Sequence, residues 1–272
     1  MGKRVGRRLS VSTWSLHRTL GRPASYGPGQ EQPASPQAGL PLLELPAKLA
    51  AFGIHTLEIC HFHLPSQDRG YLNELREALA DAGIQPFTLL VDAGDITDPT
   101  YGDRDLGWIT GWLEIAAELG AERSRVIAGK SEPTPETLEK SIEGLRLLAK
   151  RAEALGTRLT TENWLGLMAS PAPVLQVLDA LDGRLGLCVD FGNWRGASKY
   201  EDLAEIMPCA ESFHAKCHFE QDGSMDREDF VRCLELTHAA KLAGPFTLIY
   251  DGPNADEWAG LDAERALVTP YL

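Results

Sequence analysis

The sequence predicts one α/β domain over residues 1–272, a single (β/α)8 barrel of the TIM type. Three observations predict it. Strand-like and helix-like segments alternate eight times along the chain. Each strand–helix unit is roughly thirty residues long, the length of a right-handed crossover between parallel strands. The total length also suits one closed barrel. An open doubly wound sheet is the alternative, but no Gly-x-Gly-x-x-Gly follows the first strand and no phosphate-cradling loop of the Walker type occurs.

The elements follow in order. Residues 8–13 read as the first strand, and the helix over 40–52 stops at Gly53, a C-terminal cap. Residues 55–60 form strand two, and the helix over 71–82 closes at Gly83. Residues 86–91 are strand three, and the helix over 106–119 ends at Gly120. Strand four, 123–128, is weaker than the rest. Thr134 caps a long helix that has Pro135 in its first turn and stops at Gly156. Strand five covers 158–163 and helix five 173–181. Strand six covers 185–190, with a short helix over 200–207. Strand seven is 211–216 and its helix 227–241; strand eight is 245–251, and a last helix runs from 263 to the end.

Composition narrows the function. The formal net charge is −13 and the acids are dispersed, which argues against a nucleic-acid groove, since that needs clustered Lys and Arg. No apolar run approaches the ~20 residues that cross a bilayer, so no membrane role is expected. The basic start, residues 1–8, leads into a strand without a signal-type apolar core. The five cysteines are odd in number and none has CxxC spacing, which suits reduced thiols in the cytoplasm and disfavours a four-cysteine zinc site.

Two connections exceed a routine turn. Residues 21–39 hold four prolines and four glycines and leave the C-terminal end of strand one, where barrel active sites sit. They form either a passive insertion or a mobile lid that ligand would order. Residues 92–104, after strand three, lie on the same rim and allow the same two readings.

Chemistry concentrates at four strand ends: Glu162 on strand five, Asp190 on six, His214 on seven and Asp251 on eight. Each follows an apolar stretch, so its burial near the barrel axis needs compensation. One divalent ion, Mn, Mg, Co or Zn, would compensate three carboxylates and one imidazole. A single acid at a strand end often only caps the next helix; four on consecutive strands are harder to explain that way. Around them, His61 and His63 follow strand two, and Lys216 is placed for a substrate oxyanion or phosphate. Trp14 and Trp164 offer apolar walls for a ligand, or plain packing, and Asn193 stands three residues after Asp190. His218 is an alternative ligand if the strand-seven register differs.

The chain resembles the xylose-isomerase-like barrel superfamily of sugar isomerases and epimerases, which also holds the endonuclease-IV-type DNA-repair enzymes. The resemblance runs from Leu-Ser-Val-Ser-Thr-Trp-Ser-Leu-His at residues 9–17 and Phe-Gly-Ile-His-Thr-Leu-Glu-Ile at 52–59 through Glu162, Val-Asp190-Phe-Gly and His214-Ala-Lys216. It ends at Asp-Glu-Trp-Ala-Gly-Leu, 256–261. It implies a metal held by Glu162, Asp190 and His214. The fourth family ligand, a Glu of strand eight, falls on Ile249 or Asp251 depending on register, and only Asp251 can ligate. The endonuclease branch carries a His where Asn193 stands and an Asp-x-His after strand seven; here Asp222-Gly-Ser and Asp226-Arg-Glu occupy that stretch. DNA repair is therefore disfavoured.

The resemblance implies isomerisation or epimerisation of a ketose, sugar phosphate or related hydroxycarbonyl compound through an enediolate. Glu162 and Asp251 would be the acid/base pair on opposite faces of the reacting carbon. The same apparatus fits dehydration of a keto-inositol. The reading from another class is a non-catalytic sugar-binding barrel, which the missing strand-eight Glu and Asn193 favour. The expected partner is a small sugar-like molecule, with homo-oligomerisation left open.

Overall fold

The computed structural model describes residues 6–33, 38–240 and 243–272. Its sheet closes completely, with strand order β1 to β8 and every neighbouring pair parallel. The strands are β1 Arg8–Ser12, β2 Thr56–Cys60, β3 Gln85–Val91, β4 Arg123–Val126, β5 Arg158–Glu162, β6 Gly186–Asp190, β7 Ala210–Lys216 and β8 Pro245–Ile249. The helices are α1 Leu45–Phe52, α2 Arg69–Asp81, α3 Gly102–Leu119, α4 Pro135–Leu155, α5 Pro171–Ala180, α6 Lys199–Ile206, α7 Arg227–Ala239 and α8 Glu257–Val268. None is long and apolar enough to cross a membrane.

Sequence and structure agree on every element and differ at several ends. Helix α1 is shorter than expected, because Pro46 sits in its first turn and a 3-10 turn, Leu42–Glu44, precedes it. Helix α8 begins earlier, at Glu257, because the Asp256 side chain accepts from the Ala259 amide and caps it. The Thr134 cap of α4 forms as read: its hydroxyl accepts from the Thr137 amide at 3.2 Å. The difference that matters for the site is β8, which stops at Ile249 rather than 251. Lys241, the expected end of the seventh helix, lies outside the described residues, as do 1–5 and 34–37 of the expected lid.

Alternation along each strand divides two cores. Outward residues such as Val11, Leu57, Ile59, Leu89, Phe213 and Leu248 are buried beneath the helices. The inward column is polar almost throughout: Ser10, Thr56, Thr88, Thr160, Ser212 and Thr247 fill the middle, with charged groups at both ends. Two register shifts adjust this pattern, one at Phe87 in β3 and one in β7. Between β6 and β7, Leu187 pairs with Ala210 but Cys188 pairs with Ser212, leaving Glu211 as a bulge. Beyond the bulge, Asp190 lies directly beside His214, and Lys216 beside Ile249.

The loop leaving β1 is packed where it is described. Tyr26 is buried with its ring against His61, Trp108 and Trp112, and its carbonyl is 2.8 Å from His61 Nε2. Gln32 Nε2 donates to the Leu64 carbonyl at 2.6 Å, and the Leu40 amide donates to Thr19 O at 2.8 Å. These contacts favour a fitted rim over a loose insertion.

Candidate active site at the barrel mouth

A cavity of about 280 Å³ opens at the C-terminal end of the strands. Its floor is charged: Asp92, Arg125, Glu162, Asp190, His214 and Lys216 all reach it. Ser12, Ser25, Trp14, Phe62, Trp164, Asn193 and Ile249 form the walls.

His214 is the hub. Its Nε2 lies 2.8 Å from Glu58 Oε2, and Thr88 Oγ1 donates to the other Glu58 oxygen at 2.9 Å. Its Nδ1 faces Glu162 Oε2 at 3.3 Å and Asp190 Oδ2 at 3.7 Å. Asp190 is fixed from both sides: Asn163 bonds its amide and carbonyl, and the Gly192 amide donates to Oδ1 at 2.6 Å. Asn193 donates to Glu162 Oε1 at 2.7 Å. Arg125 approaches the other oxygen, with Nε 3.1 Å from Glu162 Oε2 and Nη2 2.6 Å from Asp92 Oδ1.

These neighbours set the charges. Burial disfavours the imidazolium of His214, but Cys188, Glu162 and Glu58 around it raise its pKa well above the usual histidine value. Burial pushes the Glu162 carboxyl up; His214 and Arg125 more than offset this and hold it below the usual range. Burial likewise opposes the Lys216 ammonium, while Asp190 and Asp251 keep its pKa raised.

His214 Nδ1 lies 3.3 Å from Glu162 Oε2 and 3.7 Å from Asp190 Oδ2, close to the separation of donors that share one ion. Neighbouring donors bonded at about 2.1 Å to one ion lie roughly 3 Å apart, so small closures would suffice. Glu162 Oε2 is buried and shared between Arg125 Nε and His214 Nδ1. Glu58 on the far nitrogen of His214 is the carboxylate that orients a ligating imidazole. Cys188 Sγ is also near, its ligand atom and those of Glu162 and His214 all lying within 4.8 Å of one another.

Asp251 does not join this group. The β8 position beside Lys216 is Ile249, an apolar wall of the cavity. Asp251, two residues on, is 41 % exposed and 3.1 Å from Lys216 Nζ, in an adjoining cavity of about 390 Å³. His61 also departs from expectation: it is sealed among Tyr26, Trp108 and Trp112 and accepts from the Asp92 amide at 3.2 Å. His63 turns away to Thr13 Oγ1 at 2.7 Å, and burial pushes its pKa down to about 3. His218 is half exposed in the adjoining cavity beside Glu220. Asp226 caps α7 and Asp222 binds Ser224, so both have local structural roles.

Sequence reading missed Glu58, Asp92, Arg125 and Cys188. The signal for two of them was present: Glu58 and Arg125 are charged residues in the inward column of a strand. It was read instead as a motif letter in β2 and a weakness in β4.

Comparisons with known proteins agree with this architecture. The profile of the xylose isomerase-like TIM barrel family matches residues 46–259. Among curated proteins, no sequence matches this chain. The chain is similar in structure to D-allulose 3-epimerase from Methylomonas sp., with TM-score 0.72, 12 % identity and 100 % of each chain covered. It is similar to a xylose isomerase-like TIM barrel protein from Mycobacterium smegmatis in complex with magnesium, at TM-score 0.65 and 16 % identity, covering 98 % of both chains. It is also similar to the probable 3-DHS dehydratase of petrobactin synthesis from Bacillus anthracis, at TM-score 0.70 and 13 % identity, covering 96 % of this chain and 98 % of that one. With a family match over most of its length on a closed eight-stranded barrel, the chain belongs to the xylose isomerase-like TIM barrel family.

Proposed function

We propose that the protein is a divalent-metal-dependent isomerase or epimerase of a ketose, sugar phosphate or related hydroxycarbonyl compound. The observation that carries this is the His214 hub: Nδ1 turned toward Glu162 and Asp190, with Nε2 anchored on Glu58. The likeness to sugar epimerases and to a magnesium complex supports the same reading. Glu162, Asp190 and His214 would hold one ion of the Mg, Mn, Co or Zn class. When bound, it would supply Lewis-acid polarisation of the substrate carbonyl.

The chain's own groups handle the proton. Glu162, ionised and oriented by Asn193, removes it from the carbon beside the carbonyl. The Lys216 ammonium, which lines the same cavity, faces the oxyanion that develops and returns a proton. Asp251 keeps Lys216 charged and aimed, which replaces the two-carboxylate scheme with a carboxylate and an ammonium. Trp14 and Trp164 flank the sugar and help exclude water. The unpaired cysteines suit a cytoplasmic enzyme.

The test is metal analysis of the purified protein, followed by solvent deuterium uptake into a panel of ketoses. Uptake that needs the ion and disappears in Glu162→Gln is the expected result. Ile249 at the β8 position favours a second reading, a sugar-binding barrel without turnover. Saturable sugar binding with no deuterium uptake across the panel would establish that reading and end the first.

A further inference from the structure

We propose that the end of the substrate remote from its reacting carbonyl is apolar, so that the preferred ligand is a deoxyketose ending in a methyl group. A ketose ending in a hydroxymethyl group or a phosphate ester fits less well. This rests on the isomerase or epimerase reading and names its substrate class.

The closed strand order divides the mouth cavity into two arcs. Strands β4 to β7 line one arc with Arg125, Glu162, Asp190, His214 and Lys216. The other arc runs from β8 through β1 and β2 to β3, joined by the pairing of β1 with β8. Ile249, Cys60 and Leu90 line it from the strands, with Trp14 and Phe62 from the turns just after β1 and β2. Trp14 meets Phe62 edge-on and keeps 37 % of its surface exposed.

The polar atoms on this second arc are engaged or lie outside it. Ser12 Oγ accepts from the Trp14 amide at 3.2 Å. Asp92, at the border with β4, holds Arg125 Nη2 at 2.6 Å. Ser25, on the loop after β1, is exposed to solvent. Among the described residues, no Lys or Arg lines this arc.

Glu162, Asp190 and His214 hold the reacting end of the ligand on the charged arc, so its other end meets the apolar one. A hydroxyl placed there loses water without gaining a partner. A phosphate loses more, because Arg125 and Lys216 are already paired with acids. A methyl group loses nothing polar and gains apolar contact.

The test is calorimetry on the purified protein with matched sets of every 2-ketohexose in D and L form: the parent sugar, its 6-deoxy form and its 6-phosphate. Within the configuration that binds tightest, the 6-deoxy form should bind about tenfold tighter than the parent, with the phosphate weakest. Ile249→Thr, which puts a hydroxyl on the apolar wall, should reduce that preference to below about threefold. The readout is the deoxy-to-parent ratio, which a loss of stability alone does not move. If Ile249→Thr fails to fold, Trp14→Gln, at the exposed end of the same arc, decides in its place. Equal binding of parent and deoxy forms overturns the proposal. So does tighter binding of the phosphate, a preference unchanged in the variant, or no binding of any deoxyketose. Deuterium uptake into parent ketoses with no deoxy preference sinks this inference alone. A deoxy preference without uptake into any ligand sinks the isomerase reading alone.

Discussion

The two ends of the barrel are built from the same residue types and differ in whether those residues enclose a space. At the base, Glu211 takes Arg158 Nη2 at 2.5 Å and Arg158 Nε at 3.2 Å, and Arg123 joins the same carboxylate. Gly186 leaves the room this requires, since a Cβ there would lie 2.7 Å from Glu211 Oε2. Arg8 and Arg123 stack on Phe87, and Gln85 bonds Glu122. At the mouth, by contrast, Arg125 is shared between Asp92 Oδ1 at 2.6 Å and Glu162 Oε2 at 3.1 Å, and Glu162 also faces His214, around an open cavity. The base is a closed plug of paired charges; at the mouth the paired charges line an open cavity. Perturbed charges gathered around a cavity mark a candidate site, so the open end is the one shaped for something else to complete.

The contrast can be broken from either end. The largest effect belongs to Glu162→Gln, which should lower deuterium uptake by about a thousandfold while changing thermal stability little. A loss of folding in its place would make the mouth a structural plug like the base. Next is Glu58→Gln, which leaves the ligands intact but releases His214. Ion affinity measured by competition with a chelating dye should drop about 10–100-fold.

At the base the signs reverse. Glu211→Gln should cost about 1–3 kcal/mol by urea denaturation, discounted for its partial exposure, with the kinetics of uptake unchanged. Burial raises the Glu211 carboxyl, and Arg158 and Arg123 outweigh this to hold it below its usual value. Its contribution is therefore complete above the unfolded carboxylate pKa of about 4.3 and is lost as pH falls through the lower folded value. Denaturation curves of wild type and variant should converge only in that acid range. Asp251→Asn sharpens the division inside the mouth: ion affinity should stay within about twofold, while uptake slows about tenfold because Lys216 is less firmly held. The smallest effect is Thr134→Ala, a mouth-side cap remote from the cavity, at about 1 kcal/mol and no change in activity.

The sequence made the barrel legible because each of the first four helices announced its end. Gly53, Gly120 and Gly156 all adopt the left-handed conformation where capping was expected. Glu162, Asp190 and His214 were legible because polarity interrupts an apolar strand at its last turn. Arg125 was not, because a charge inside a short strand reads as a poor strand until the barrel closes around it. Nor was the fate of Asp251. It depended on where β8 ends, and a two-residue difference moved the side chain from one cavity to its neighbour. His61 was misplaced for a different reason: the aromatic cage of Tyr26, Trp108 and Trp112 assembles from two distant segments, which no local spacing reports.

The bulge at Glu211 carries a genetic consequence. One extra residue in β7 fixes the phase of everything after it, so His214 and Lys216 turn inward while Phe213 and Ala215 turn to the helices. Deleting a single codon between 210 and 212 would invert that phase, sending Phe213 into the mouth and His214 into the apolar layer. A deletion of equal size in the loop after β1 would shift no strand. The chain therefore has a reading frame of its own, set near the bottom of one strand and expressed at the top.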